Sequence, residues 1–590
     1  MQTEAETSGM GGATLPFWRF SGPAMADDRF DAWNPGLESD IPHALLGQIT
    51  LYRPGNSSVS YRDAKEAADY CGLKPRDMVV LTVPRLVVHE LLIRVTADLY
   101  VPDGPNYAEL GLNLRGMADT ILRKHIAPQM AALEAKFSAL RSDVERRLGV
   151  ILDRDLYDVA PEPAKKTGFL ARFAKKPAPP PPRPDPAIAA LSRWNAVAPD
   201  GTDPLEAACC GGLRTFVDGM LRQRGRLMAD RDLLVKLTTQ LVCNTYGSQQ
   251  IGLWIEPIIS TAAAVEGYRV LPFQAKPMVL NVKGASAAGK STIRPLQREL
   301  AERLGVSWQD FALISPDYWR KFLLDYASLG DDYKYAAMLT GEELEIIDKK
   351  LDSYMAAKHA RAQMPHLLID RFRFDSFTPH AQKNAKGNLL SRFGDQVFMF
   401  FIITPPDETV ERAWKRGQKT GRYKAVDDLL FHNIEAYTGM PQLFLSWVNK
   451  TQQRVHFEFL DNSVPLGERP RTVAFGWNGQ VTILDPEAMR QMNRYQNVNI
   501  DARTADDVLL PTVPTGDILT DCIRHVAHVT FADAATLRVM GQTVDGDITF
   551  EADGFFDRIG INCDKGPPGE RPKVDFDHEH KFTLGAWGAA

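Results

Sequence analysis

The chain is poor in the features that mark secreted or membrane proteins. Its 590 residues include six cysteines, Cys71, Cys209, Cys210, Cys243, Cys522 and Cys563. They are scattered and form no C-x-x-C, so neither a disulfide framework nor a thiolate zinc site is expected. No long apolar run is present. The most hydrophobic stretch, Met78 to Val101, is broken by Pro84 and carries Arg85, His89, Glu90, Arg94 and Asp98. A spanning helix does not tolerate that load. The first thirty residues contain no basic segment followed by an apolar core, so no secretory leader is read there. A basic surplus is missing too. The formal net charge is −5, which argues against broad nucleic-acid binding while leaving room for a local basic patch. A cytoplasmic protein without a membrane partner is the expectation.

What is there describes an ordinary globular chain, 44% apolar and 24% charged. The length calls for two to four domains. Residues 1–40 read as a disordered N-terminus. Residues 41–160 read as a mixed α/β module ending in a long amphipathic helix. In that helix Met130, Leu133, Phe137, Leu140 and Val144 follow a 3-4-3-4 spacing, with Leu148 close behind. Two to three heptads over 130–148 leave self-association open beside intramolecular packing. Residues 161–187 are a proline-rich linker suited to extended polyproline structure. Residues 188–275 read as helices packing on the next domain.

Residues 276–462 alternate strands and helices. Strands are expected at 278–282, 311–315, 366–370, 396–404 and 455–460, with a clear helix from Glu342 to Gln363. Alternation of this kind predicts an α/β fold, a parallel sheet covered by helices on both faces. Such sheets bind ligands at the carboxyl ends of their strands. Residues 463–590 read as an α+β extension of shorter strands and turns.

The most informative segment is Gly284-Ala285-Ser286-Ala287-Ala288-Gly289-Lys290-Ser291-Thr292. It fits the phosphate-loop pattern G-x-x-x-x-G-K-[ST]. Gly284 and Gly289 permit backbone angles that a Cβ would penalise. The loop N–H groups can then face phosphate oxygens. Lys290 is expected on the β- and γ-phosphates of ATP, and Ser291 on Mg2+. The apolar run before it and the helical spacing expected from Ser291 to Leu304 give the strand, loop and helix order that this chemistry needs.

Three further features carry chemistry. Leu313-Ile-Ser-Pro-Asp317 is a strand ending in an acid, a candidate general base whose competing role is a helix cap. His366-Leu-Leu-Ile-Asp370 ends a second strand in an acid of the kind that supports Mg2+ or substrate, with Arg371 and Arg373 placed to hold a substrate phosphate. In Glu411-Arg412-Ala-Trp-Lys-Arg416-Gly-Gln-Lys-Thr-Gly-Arg422, Arg412 and Arg416 share a helical face and Arg422 follows a glycine turn. Such a cluster suits a lid over phosphates.

Taken together, residues 276–462 resemble the zeta toxin family of P-loop kinases. The resemblance rests on G-A-S-A-A-G-K-S-T, on Asp317 of I-S-P-D-Y-W, on L-L-I-D with Asp370, and on the E-R-A-W-K-R…G-R lid. It implies that Lys290 and Ser291 bind ATP and Mg2+, that Asp317 is the catalytic base, and that Arg412 or Arg416 acts with Arg422. Asp370 falls where the family contacts substrate, often with Glu. The acceptor implied is nucleotide-like, resembling UDP-N-acetylglucosamine or NAD, and a toxin role follows from the resemblance alone. An inhibitory partner, or inhibition by residues 1–160, belongs to the same implication. Two other readings stand beside it: a nucleotide-gated interaction protein and a polynucleotide 5′-hydroxyl kinase. His525 with His528 and the Asp577-His-Glu-His580 run lack a third ligand in a clear pattern for a metal.

Overall fold

A computed structural model describes residues 30–104, 107–157, 185–197, 203–370, 390–465, 467–511, 516–562 and 569–588. Arg371, Arg373 and nearly all of the 161–187 linker lie outside the described residues. The apolar runs form strands: β1 (Met278–Lys283), β2 (Phe311–Ile314), β3 (His366–Asp370), β4 (Gln396–Ile403) and β5 (Arg454–Asp461). They pair in the order β2-β3-β1-β4-β5, all parallel. Every residue of β1, β2 and β3 is buried. Successive side chains point to opposite faces, so both faces of this part of the sheet are covered. That is why these strands read as continuous apolar runs. Helices Arg294–Arg303, Gly341–Ala360, Pro406–Thr420 and Val426–Val448 lie in the connections.

The C-terminal region continues the same sheet. Strands β6 (Arg471–Trp477), β7 (Gln480–Ile483), β8 (His528–Ala532), β9 (Val539–Val544) and β10 (Asp547–Glu551) bring it to ten strands. Beyond β5 the pairing is antiparallel except for β7 with β8. Asn478-Gly479 turns β6 into β7, with Gly479 at φ +75°. Glu458 of β5 accepts hydrogen bonds from the Leu584 and Gly585 N–H groups at 2.7 and 2.9 Å, which ties the last described segment to the sheet.

The expected mixed α/β module at 41–160 is instead helical, with only isolated bridges and no strand among its described residues. The reason lies in helix Val83–Asp98. Pro84 sits in its first turn and Thr82 caps it. Twelve of its sixteen residues are buried. A helix buried all round shows no amphipathic period, so its apolar runs imitate strands. The expected disorder of residues 1–40 also needs correction for its described part. Ala32 packs among Val410, Val426 and Leu430, and Leu37 against Tyr423 and Ala425. Trp33 Nε1 donates to Glu411 at 3.2 Å. The stripe of helix Met130–Leu152 is spent within the chain. Leu133, Phe137, Val144 and Leu148 are buried, and the helix packs on Pro204–Arg224 and Arg231–Val242, so this face is not open for self-association. Among the described residues no helix is long and apolar enough to cross a membrane.

The charges of helix Val83–Asp98 are buried but paired. Arg85 holds both oxygens of Glu343, at 2.6 and 2.7 Å. Burial pushes His89 down to about 4, so it is neutral. Its Nε2–H donates to Glu343 at 2.7 Å, and its Nδ1 accepts from Lys350 at 3.2 Å. Lys350 also donates to Ser248 at 2.8 Å, and Ser248 to Glu90 at 2.5 Å. This chain of contacts joins the helical layer to helix Gly341–Ala360, which connects β2 to β3. Removing one partner of such a network strands a buried charge. Glu343→Ala is therefore expected to destabilise the protein by about 3–5 kcal/mol, measured by urea unfolding.

Candidate functional site

Because β1 to β5 are parallel, the segments following them gather at one edge of the sheet. The glycine loop follows β1, Asp317 follows β2, Asp370 ends β3, Thr404 follows β4 and Asn462 follows β5. The loop is pinned from behind. Thr404 Oγ1 and Asn462 Nδ2 both donate to the Ala288 carbonyl, at 3.0 and 2.8 Å. Tyr437 fixes Thr404 in turn, accepting from its N–H at 2.7 Å. Gly289 lies at φ +99°, and a Cβ there would stand 2.3 Å from Asn462 Nδ2. Gly284 is required differently from what the pattern implied. Its φ is not positive, and the constraint is close approach, with a Cβ falling 3.1 Å from the Ile402 carbonyl oxygen. Ala287 takes the other positive φ, +64°.

The result is a cradle of amides. Among the described residues the N–H groups of Ser286, Ala287, Gly289 and Ser291 donate to no protein acceptor. Lys290 Nζ folds into the same loop and donates to the carbonyls of Gly284 and Ala285, at 3.0 and 2.7 Å. The helix expected from Ser291 starts at Arg294, after a turn through Ser291–Ile293. Here Thr292 N–H and Oγ1 both return to the Gly289 carbonyl, at 2.9 and 2.6 Å.

Ser291 donates to Asp370 at 2.5 Å. Asp370, expected on the acceptor side, is thus joined to the hydroxyl of the loop. Arg294 stands 3.7 Å from the same carboxylate oxygen. Hydroxyl and carboxylate oxygens together are hard donors of the kind that suits Mg2+ beside phosphate. No group of three or more His, Cys, Asp or Glu suited to a metal occurs among the described residues.

Asp317 lies in the turn Pro316–Trp319 and does not serve as a helix cap. Arg320 Nε approaches one oxygen at 3.0 Å and Arg422 Nη2 the other at 2.6 Å. Burial alone would raise this carboxyl; Arg422 and Arg320, with Arg416 behind them, hold it well below the usual carboxylate range. Arg320 also reaches Thr340 at 2.8 Å, at the start of helix Gly341–Ala360. Arg422 follows Gly421, which ends the lid helix Pro406–Thr420 in the left-handed region at φ +70°. Asp317 and the turn after helix Pro406–Thr420 are therefore joined.

Burial, then Arg416 and Arg422, draw the Lys290 ammonium down to about 8, against the pull of Asp370 and Asp317. Lys424 is drawn to about 8 by burial and by Arg416 and Arg320. It is bonded to the His432 ring, which burial and Lys424 keep neutral. Arg412 departs from expectation. It is bound to Glu408 at 2.5 Å and to the Asn462 carbonyl at 2.7 Å, so it braces the outside of the loop. Arg416 and Arg422 are the lid cations whose charges reach Lys290 and Asp317.

Sequence reasoning missed Thr404, Asn462, Arg320, Lys424 and His432. Arg320 had a signal, since it stands three residues after Asp317. Asn462 and Thr404 had a weaker one, as polar residues at strand ends of a parallel sheet.

No family model matches the chain, and no match was found among characterised proteins or solved structures.

A depressed carboxyl contributes stability that is present above its unfolded pKa, near 4, and is lost as pH falls towards its folded value. Asp317→Asn is expected to be less stable than the wild type at pH 7. The difference should shrink as pH falls below about 4, read from thermal melts across pH.

Proposed function

We propose that the protein is an ATP- and Mg2+-dependent phosphotransferase acting on an alcohol of a nucleotide-type small molecule. One observation carries the reading. Four loop amides without a protein acceptor among the described residues share a loop with Lys290, beside a carboxylate bonded to Arg422. Amides in this arrangement suit phosphate oxygens.

The residues divide the work by position. The amides of 286–291 and Lys290 bind the donor's phosphates. Ser291 and Asp370 would hold Mg2+, which supplies charge neutralisation at those phosphates. Asp317 is ionised at neutral pH and accepts the hydrogen of the acceptor hydroxyl. Its low basicity suits a loose transition state, in which little covalent chemistry is asked of the protein. Arg416 and Arg422 stabilise the charge on the transferring group. These roles follow the resemblance to zeta-toxin-like kinases in part: Asp370 moves from acceptor contact to Mg2+, and Arg412 to loop support.

A second reading is favoured by a separate observation. Residues 32–37 pack against the lid helix and the residues that follow it. A nucleotide-gated binding protein would use this contact to report the state of the lid.

The test is incubation with Mg-ATP and a pool of nucleotide sugars, NAD and nucleosides, followed by mass spectrometry for one added phosphoryl group. Transfer is expected in the wild type. Lys290→Ala and Asp317→Asn should lower its rate by about 100-fold or more, in the range for lost electrostatic and acid–base groups. Undiminished transfer by Asp317→Asn would remove that residue as the base. ATP binding without any acceptor would favour the second reading.

A further inference from the structure

We propose that Arg115, with Lys321 beside it, forms an anion subsite that holds a phosphate carried by the acceptor itself. The proposal rests on the phosphotransferase reading and specifies its acceptor as a phosphorylated small alcohol.

Arg115 comes from the helical layer. Its helix, Tyr107–Thr120, packs on the turn Pro316–Trp319 that presents Asp317. A Cβ on Gly111 would stand 3.0 Å from the Tyr318 ring and 3.2 Å from Arg115 Nη1. The guanidinium therefore lies back along its own helix beside Tyr318. Arg294 fixes that tyrosine from the loop side, donating to its hydroxyl at 3.0 Å. Lys321 stands one turn beyond Asp317, its Nζ 5.4 Å from the centre of the Tyr326 ring. Tyr326 in turn borders the lid turn, 3.4 Å from where a Gly421 Cβ would be. Arg115, Lys321 and Arg422 thus border one region, with Asp317 joined to it through Arg422.

The charges there are expensive as they stand. Burial lowers the Arg115 guanidinium, and no carboxylate is among the charges that act on it. Burial, then Arg115 and Arg422, bring Lys321 down to about 8. Among the described residues Arg115 makes no hydrogen bond or ion pair. A desolvated guanidinium facing other cations is stabilised by a bound anion, and its planar fork matches phosphate.

The donor does not supply that anion. Its phosphates belong to the loop, where Lys290 answers chiefly to Asp370, Asp317, Arg416 and Arg422. Arg115 and Lys321 are coupled to each other instead, and Lys321 to Arg422. The phosphate they hold belongs to the molecule whose hydroxyl meets Asp317. In the step, the acceptor oxygen bonds to the γ-phosphorus, the bond from that phosphorus to the β,γ-bridging oxygen breaks, and ADP leaves. The hydroxyl proton passes to Asp317 and then to solvent.

Calorimetry on the full chain tests this with two probes, Mg2+ with the β,γ-imido analogue of ATP, then pyrophosphate. Pyrophosphate is expected to bind the analogue-loaded wild type. Arg115→Gln should weaken pyrophosphate about 10-fold more than it weakens the analogue, the loss expected for charge-assisted hydrogen bonds. Arg115→Lys should recover part of that loss. Gly111→Ala, which favours helix but puts a methyl against the guanidinium, should weaken pyrophosphate as well. Equal pyrophosphate affinity in wild type and Arg115→Gln overturns the subsite, as does no binding to the loaded wild type. Analogue binding that is indifferent to Lys290→Ala overturns the nucleotide reading and the subsite with it. A second arm supplies Mg-ATP with UDP-N-acetylglucosamine or NAD, against N-acetylglucosamine, adenosine and a 5′-hydroxyl oligonucleotide. Phosphorylation of the first two alone supports the proposal and tells a sugar nucleotide from a dinucleotide. Equal phosphorylation of N-acetylglucosamine or adenosine overturns it, and so does preference for the oligonucleotide.

Discussion

The site is governed by the crowding of cations around three carboxylates. Arg416 and Arg422 act on Lys290, and Arg416 and Arg320 on Lys424, across a half-buried space, answered chiefly by Asp317, Asp370 and Asp428. Like charges in a region of low dielectric repel strongly, and burial adds a desolvation cost to each. Lysines drawn down to about 8 and a carboxyl held far below its usual range are two sides of that imbalance. A polyphosphate, as proposed, would relieve it by bringing several negative charges at once. The glycine loop adds amide dipoles of the same sign at the same place.

The helical layer takes part in this arrangement. Arg85 bonds the Leu323 carbonyl as well as Glu343, and Arg320 links Asp317 to Thr340 at the head of the helix that carries Glu343. The turn bearing Asp317 is thereby held between the sheet edge and helix Val83–Asp98. Polar groups buried in this way fix a geometry, since each lost partner leaves an uncompensated charge. The same layer brings Arg115 beside Tyr318, in the turn that carries Asp317. A region that reads as an appendage in the chain is part of the wall of the site.

Local pattern carried much of the central fold. The five strands of 276–462 were legible because strands buried on both faces are short, continuous apolar runs between turn signals. The loop was legible because the phosphate-loop pattern fixes four residue types, here Gly284, Gly289, Lys290 and Ser291, within eight consecutive positions. Helix Met130–Leu152 was legible from its period, although its partners were not. The helical layer was misread as mixed α/β because helix Val83–Asp98 is buried around its circumference and has no polar face to mark its period. Residues 30–40 were misread because isolated Ala32, Trp33 and Leu37 have meaning only against a lid helix far along the chain.

By itself the sequence determined the loop, the strand ends that carry Asp317 and Asp370, and the helix that carries Arg412 and Arg416 with Arg422 just after it. These are consequences of local geometry, written in neighbouring residues. Tertiary structure alone decided which of them meet. It joined Asp370 to Ser291, tied Arg422 to Asp317, turned Arg412 to the outside of the loop, and set Thr404 and Asn462 behind Ala288. The physical reason is that pairing between distant charges depends on which strands are neighbours and on what is buried between them, and neither is encoded in any short stretch of chain.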